Sequence, residues 1–136
     1  PATPEIYTLA LHDALPISPS GKFYSVAFET DLAPSSYPGL SRADHFQEAN
    51  EALLKAMEAD TDFANSIKSM GIDLQRTPKG LAPRICPKDW SWHHVPDIPG
   101  RMQLVPTNQN SFGSIWFYTL HPGNVGGYAK WGKSCN

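Results

Sequence analysis

Cysteine is scarce in this chain. The 136 residues hold two, Cys86 and Cys135, which lie 49 positions apart and match no zinc-ligand spacing. They read as isolated thiols or as one long-range disulfide, so cysteine does not fix the redox compartment. No apolar run approaches the roughly 18 residues that a membrane-spanning helix requires. Internal repeats and low-complexity tracts are absent too. Charged residues make up only 18% and apolar residues 40%, a balance suited to one small globular domain with a modest core. Proline is the residue in excess: 13 of them predict many irregular loops.

Net charge is also low, at −2, which argues against a nucleic-acid enzyme until its distribution is counted. Residues 74–136 hold seven basic residues (Arg76, Lys79, Arg84, Lys88, Arg101, Lys130, Lys133) against Asp89 and Asp97, a net of +5. Residues 19–73 hold four basic and nine acidic residues, a net of −5. Such asymmetry can focus an anionic substrate on one face, or it can be ordinary solvated charge.

The N-terminal stretch lacks the basic start and continuous apolar centre of a signal peptide. Its run Glu5-Ile6-Tyr7-Thr8-Leu9-Ala10-Leu11-His12-Asp13-Ala14-Leu15-Pro16-Ile17 resembles the conceptual translation of a sequencing-adapter oligonucleotide, from which residues 2–17 depart only at Pro4 and Ala10. Residues 1–17 are therefore expected to be non-native, with the domain spanning 18–136. The alternative is an amphipathic N-terminal segment.

Residues 18–40 read as loop, a short strand over Phe23–Phe28, then loop. Ser41 and Asp44 have the spacing of a helix cap, and a helix is expected to about Glu58 with Phe46, Ala49, Leu53, Leu54 and Met57 on its buried stripe. His45 and Asn50 are placed off that stripe. A second helix is expected from Asp60, its N-cap, to Met70, with Gly71 as its stop. The pair is read as scaffold. Residues 72–89 form a connector punctuated by proline.

Then comes Trp90-Ser91-Trp92-His93-His94, followed after a Pro/Gly-rich turn by Met102-Gln103-Leu104-Val105-Pro106. Two short β-like runs around such a turn predict a hairpin. Trp90, Trp92, Met102, Leu104 and Val105 are expected in the core, base stacking being the alternative for the tryptophans. Adjacent histidines on a strand point to opposite faces, so His93 and His94 can take different tasks. A neutral imidazole can take a proton from water, and it can also bind a divalent ion. The bland alternative is a pair of imidazoles that bond locally at a strand end. Downstream stand Asn110 and His121-Pro122-Gly123-Asn124-Val125-Gly126-Gly127. Gly126-Gly127 allow either a close backbone approach to phosphate or a sharp turn.

This set of motifs resembles the HNH/endonuclease VII (His-Me finger) nucleases, specifically bacterial toxin-type members with a Trp-His-His or His-His-His signature. The likeness covers residues 80–133 well and 40–56 loosely, where a similar Arg, Phe and Ala-Asn imply packing against the nuclease core. The resemblance implies an α+β fold: N-terminal helices followed by a ββα-metal nuclease core, with His121 on the last helix after an insertion over Ser111–Thr119. It implies His93 as metal ligand and His94 as general base, with Asn110 and His121 completing the ligand set. Arg101, Lys130 and Lys133 are the expected phosphate contacts.

Many relatives carry His where this chain has Asn110. An amide oxygen shifts preference from Zn²⁺ or Ni²⁺ toward Mg²⁺, the leading expectation, or Mn²⁺. The implied activity is metal-dependent cleavage of DNA, with RNA open, by the C-terminal toxin module of a bacterial polymorphic toxin. Such a module would be exported, act in the target-cell cytoplasm and meet a cognate immunity protein. Asn110 also admits a second class, a catalytically degraded domain that binds nucleic acid or a partner. A structural zinc domain is the third reading, weakened by the shortage of ligands.

Overall fold

Ser41 caps the longest helix among the described residues. The computed structural model describes residues 25–110 and 120–133, the side chain of Asn124 excepted. The segment 1–17, Phe23 and Tyr24, the stretch Ser111–Thr119 and Cys135 lie outside the described residues. Helix α1 spans Arg42–Ala59. The Ser41 hydroxyl accepts from the Asp44 amide at 3.1 Å, and the Asp44 carboxylate accepts from the Ser41 amide at 3.3 Å. This reciprocal cap satisfies donors that a helix start would otherwise leave bare. Helix α2, Thr61–Ser69, is capped by the Asp60 carboxylate, which accepts from the Phe63 amide at 3.1 Å. Gly71, at φ +81°, turns the chain out of it, as the sequence predicts.

Among the described residues three antiparallel strands complete the frame: β1 (Phe28–Asp31), β2 (Trp90–His94) and β3 (Arg101–Pro106), in the order β1-β3-β2. The hairpin matches the expected one. Its register sets Trp92 opposite Leu104 and His93 opposite Gln103, while β1 sets Phe28 opposite Leu104 and Glu29 opposite Gln103. Phe28, Trp92 and Leu104 therefore share one face, which packs into a core with Leu53, Ile67 and Met102. Fully burying each such side chain contributes about 1.5–3 kcal/mol. The opposite face carries Glu29, Asp31, Arg101, Gln103 and His93. At the hairpin turn a Cβ on Gly100 (φ +86°) would stand 2.8 Å from the Tyr37 ring, so glycine is required twice over, by conformation and by space.

Mixed helices and a small antiparallel sheet give the expected α+β class. Three details differ. Among the described residues the first strand is Phe28–Asp31, running past the expected end at Phe28. Its Glu29 and Asp31 read as loop residues, yet they form the polar side of a half-buried strand and pair with Gln103 and Arg101. The stretch after His121 is not a regular helix: it holds a 3₁₀ turn, Pro122–Asn124, and a π-helical turn, Tyr128–Gly132. Pro122, Gly123 at φ +68° and the Gly126-Gly127 pair keep a longer helix from forming there. His121 thus stands at the cap of a turn. Finally, His45 and Asn50 are fully buried on α1, not off its stripe.

Candidate active site

A cleft of about 260 Å³ lies where the end of β2 meets α1 and the chain around Gly126-Gly127. Arg42, Phe46, His93, His94, Asn110, His121 and Tyr128 are among the residues that border it. A second cleft of about 290 Å³, along α1 and α2, is lined by Leu54, Met57 and Ile72 among others and gathers no imidazole. The sequence candidates His93, His94, Asn110 and His121 are therefore brought together. Arg101, Lys130 and Lys133 do not line the cleft.

His93 and His94 are both nearly buried, and strand alternation sends them to different neighbours. The His93 ring meets the His121 ring edge-on, with centroids 5.2 Å apart. Asn110, at the end of the short helix α3 (Thr107–Asn110), sets its amide beside His93. No hydrogen bond of good geometry forms there, and Asn110 Oδ1 is buried without a partner. An orphaned carbonyl oxygen beside a buried imidazole is a feature the fold tolerates only at a cost, because burial without a bond is unfavourable by about 1–3 kcal/mol. Two imidazole nitrogens and an amide oxygen fit a divalent cation. Among the described residues no three His, Cys, Asp or Glu side chains gather as a metal cluster, so Asn110 is needed to make a third ligand.

His94 faces the helix instead. Its Nε2 lies 3.0 Å from His45 Nδ1, and its ring is walled by Phe46, Tyr128 and Trp131. Burial pushes the His93 pKa down to about 3, with help from the neighbouring His121 and His94. His94 is also brought down to about 3, first by burial and then by His45 and Arg42. Both rings are therefore neutral at pH 7, with lone pairs free for a cation or a proton. The unfolded chain takes up protons near pH 6.5, while the native rings resist them until about pH 3. Stability from these two groups is full above 6.5 and is lost as pH falls. The expected loss is on the order of 1 kcal/mol per pH unit for each ring. Urea midpoints of metal-free protein at pH 7 and pH 5 test this, and equal midpoints would contradict it.

Two groups that the sequence reading set aside belong here. α1 is not scaffold alone: Arg42 and Phe46 border the cleft. Arg42 lies over the Tyr128 ring, 4.2 Å from its centroid. Asn50 ties α1 to β2 and to the connector that precedes it. Its Oδ1 accepts from the Trp92 indole at 2.7 Å, and its Nδ2 donates to the carbonyls of Pro83 and Ile85 at 3.0 and 2.8 Å. The signal was present in the chain: 42, 45, 46, 49, 50 and 53 step by three and four, the spacing of a single helix face.

The expected charge asymmetry is largely cancelled by folding. Arg76 binds Glu51 and Glu58, Arg84 binds Asp44, and Arg101 binds Glu29 and Asp31. Lys130 pairs with Asp97 at 3.2 Å. Basic residues of the second half thus neutralise acids, mostly of the first. Lys133 is exposed, and its backbone amide donates to the Tyr128 carbonyl. Of the four arginines, Arg42 alone has no carboxylate partner among the described residues.

The expected close approach at the glycine pair is also there, but toward protein. A Cβ on Gly127 would stand 2.2 Å from the His94 carbonyl oxygen. The backbone of Gly127 packs on the backbone of His94.

Residues 83–134 match a family model described as a nuclease of the HNH/ENDO VII superfamily with conserved WHH. No curated protein and no solved structure matches the chain. The matched residues include both strands of the hairpin and Asn110, His121 and Gly127, and Trp92-His93-His94 supplies the Trp-His-His. Over residues 83–134 the chain is therefore similar to the WHH nucleases of the HNH/ENDO VII superfamily, a family of enzymes that hydrolyse phosphodiester bonds.

Proposed function

We propose that the chain is a metal-dependent endonuclease that cuts DNA, with His93, Asn110 and His121 holding the cation and His94 acting as general base. The observation that carries this reading is the buried, unpartnered Oδ1 of Asn110 beside the buried His93 ring, which in turn meets the His121 ring. Nucleases of this superfamily generally use a divalent metal. When bound, such an ion stabilises charge on the phosphoryl and leaving oxygens. The amide oxygen favours Mg²⁺, then Mn²⁺, over Ni²⁺ or Zn²⁺.

His94, on the other side of β2, takes the proton from the attacking water at a ring nitrogen. Arg42 is the phosphate contact this reading adopts, in place of Arg101, Lys130 and Lys133. Its guanidinium is held by the Tyr128 ring, borders the cleft and has no competing carboxylate among the described residues. Arg42→Ala is expected to raise KM for DNA about tenfold and to flatten the salt dependence of binding by about one counterion. An unchanged salt slope would contradict that role.

A toxin-module role, export to a target cell and an immunity partner are supported by the likeness of the motif set to bacterial toxin-type nucleases. A second reading, a degraded member that only binds nucleic acid, is favoured by Asn110 standing where many relatives have His. Assays on DNA and RNA across Mg²⁺, Mn²⁺, Ni²⁺ and Zn²⁺ separate the two. Binding without cleavage under every ion would select the second.

A further inference from the structure

We infer that His45 is a positioning residue for His94: it fixes the His94 tautomer so that Nδ1 is the nitrogen offered to the reacting water. The inference rests on the reading of His94 as general base. It begins at Ser36, whose backbone carbonyl can only accept. His45 Nε2 lies 2.8 Å from that oxygen and must carry the hydrogen. A neutral His45 then presents a lone pair at Nδ1. His94 Nε2 lies 3.0 Å from that atom, so it carries a hydrogen and donates. The remaining nitrogen of a neutral His94 is Nδ1, with its lone pair free.

Packing holds the chain of bonds in place. His45 has no exposed surface, and its ring sits 5.7 Å from the Tyr128 ring and 6.3 Å from the Trp131 ring, centroid to centroid. A Cβ on Gly132 would stand 3.4 Å from His45 Cε1, so this side is closed as well. The opposite polarity would need a charged His45. That cation would be fully buried with no carboxylate bonded to it among the described residues, a costly arrangement. Ser36–His45–His94 therefore works as a carbonyl–imidazole–imidazole relay of orientation, with the outer partner supplied by α1 instead of the nuclease motif. Partners that orient a metal-ligating histidine are typically worth about 10- to 100-fold in affinity or activity, and an effect of that size is expected here.

The test uses the full chain labelled with ¹⁵N at histidine. Nitrogen chemical shifts report each ring's tautomer without any turnover. The expected result is His94 protonated at Nε2 in the wild type, a mixture of tautomers in His45→Phe, and the wild-type form kept in His45→Gln. The glutamine carbonyl can accept from His94 while its amide reaches Ser36. In parallel, kcat should fall about 10- to 100-fold in His45→Phe, with KM within about twofold, and recover substantially in His45→Gln. A wild-type His94 protonated at Nδ1, or a tautomer that His45→Phe leaves untouched, would overturn the inference. If His45→Phe does not fold, the wild-type and His45→Gln spectra still decide it. Failure of the wild type to cleave would remove the nuclease reading, while the tautomer would still show whether His45 orients His94.

Discussion

His94→Ala is expected to lower the rate of cleavage by about 100- to 10,000-fold, the usual worth of a general base. Its binding of Mg²⁺ or Mn²⁺ by calorimetry should stay near that of the wild type. The two effects separate because β2 sends His93 toward His121 and Asn110 while His94 turns to His45 and α1. His94 is nearly buried among aromatic rings, so the alanine variant also loses packing. His94→Gln, which keeps more of the volume, is the companion variant, and both should be compared at equal folded fraction. In contrast, His93→Ala or His121→Ala should weaken metal binding and rate together, with partial rescue by excess metal. If His94→Ala abolished metal binding and His93→Ala spared it, the two roles would be exchanged.

Among the described glycines, Gly127→Ala is expected to be the most damaging exchange for alanine. The new Cβ would meet the His94 carbonyl oxygen at 2.2 Å, its carbon at 2.6 Å and its Cβ at 2.9 Å. Backbone atoms cannot swing away as a long side chain can. Either β2 or the turn that begins at Tyr128 must shift by about an ångström. Overpacking of this kind costs about 1–3 kcal/mol. A displacement of that size at a reacting centre can cost about 100-fold in rate. Gly126→Ala is the contrast, since its Cβ would make only an ordinary contact with His121 at 3.4 Å. Thermal melts and cleavage rates of the two variants test the difference. Equal, small effects would mean that the contact between Gly127 and His94 does not hold the site.

How far the sequence revealed this arrangement depended on where the determining partner lay. Helix α1 was legible because its start is local: Ser41 and Asp44 cap each other three residues apart. The hairpin was equally plain, since the apolar runs and the turn between them are continuous in the chain. His45 and Asn50 were misplaced because polar side chains argue for a surface, and only their partners reverse that. Those partners, His94, Trp92, Pro83 and Ile85, come from 33 to 49 residues away. Glu29 and Asp31 hid a strand for the same reason, their counterparts Gln103 and Arg101 being more than seventy positions on or close to it. Charge counting misled in a related way: the sum over residues 74–136 is basic, but ion pairs across the fold consume most of its arginines. The motif residues themselves were readable as chemistry. Their common cleft was not, because it needs α1 to close it.

Metal-dependent phosphodiester cleavage by His93, His94, Asn110 and His121 is the proposal on which the other roles depend. Its most direct test is conversion of supercoiled plasmid to nicked and linear forms by the full 136-residue chain. The predicted result is cleavage with Mg²⁺ or Mn²⁺ that stops with EDTA, returns when metal is restored, and is lost in His94→Ala. Cleavage that persists in EDTA, or that His94→Ala leaves at the wild-type rate, would contradict it.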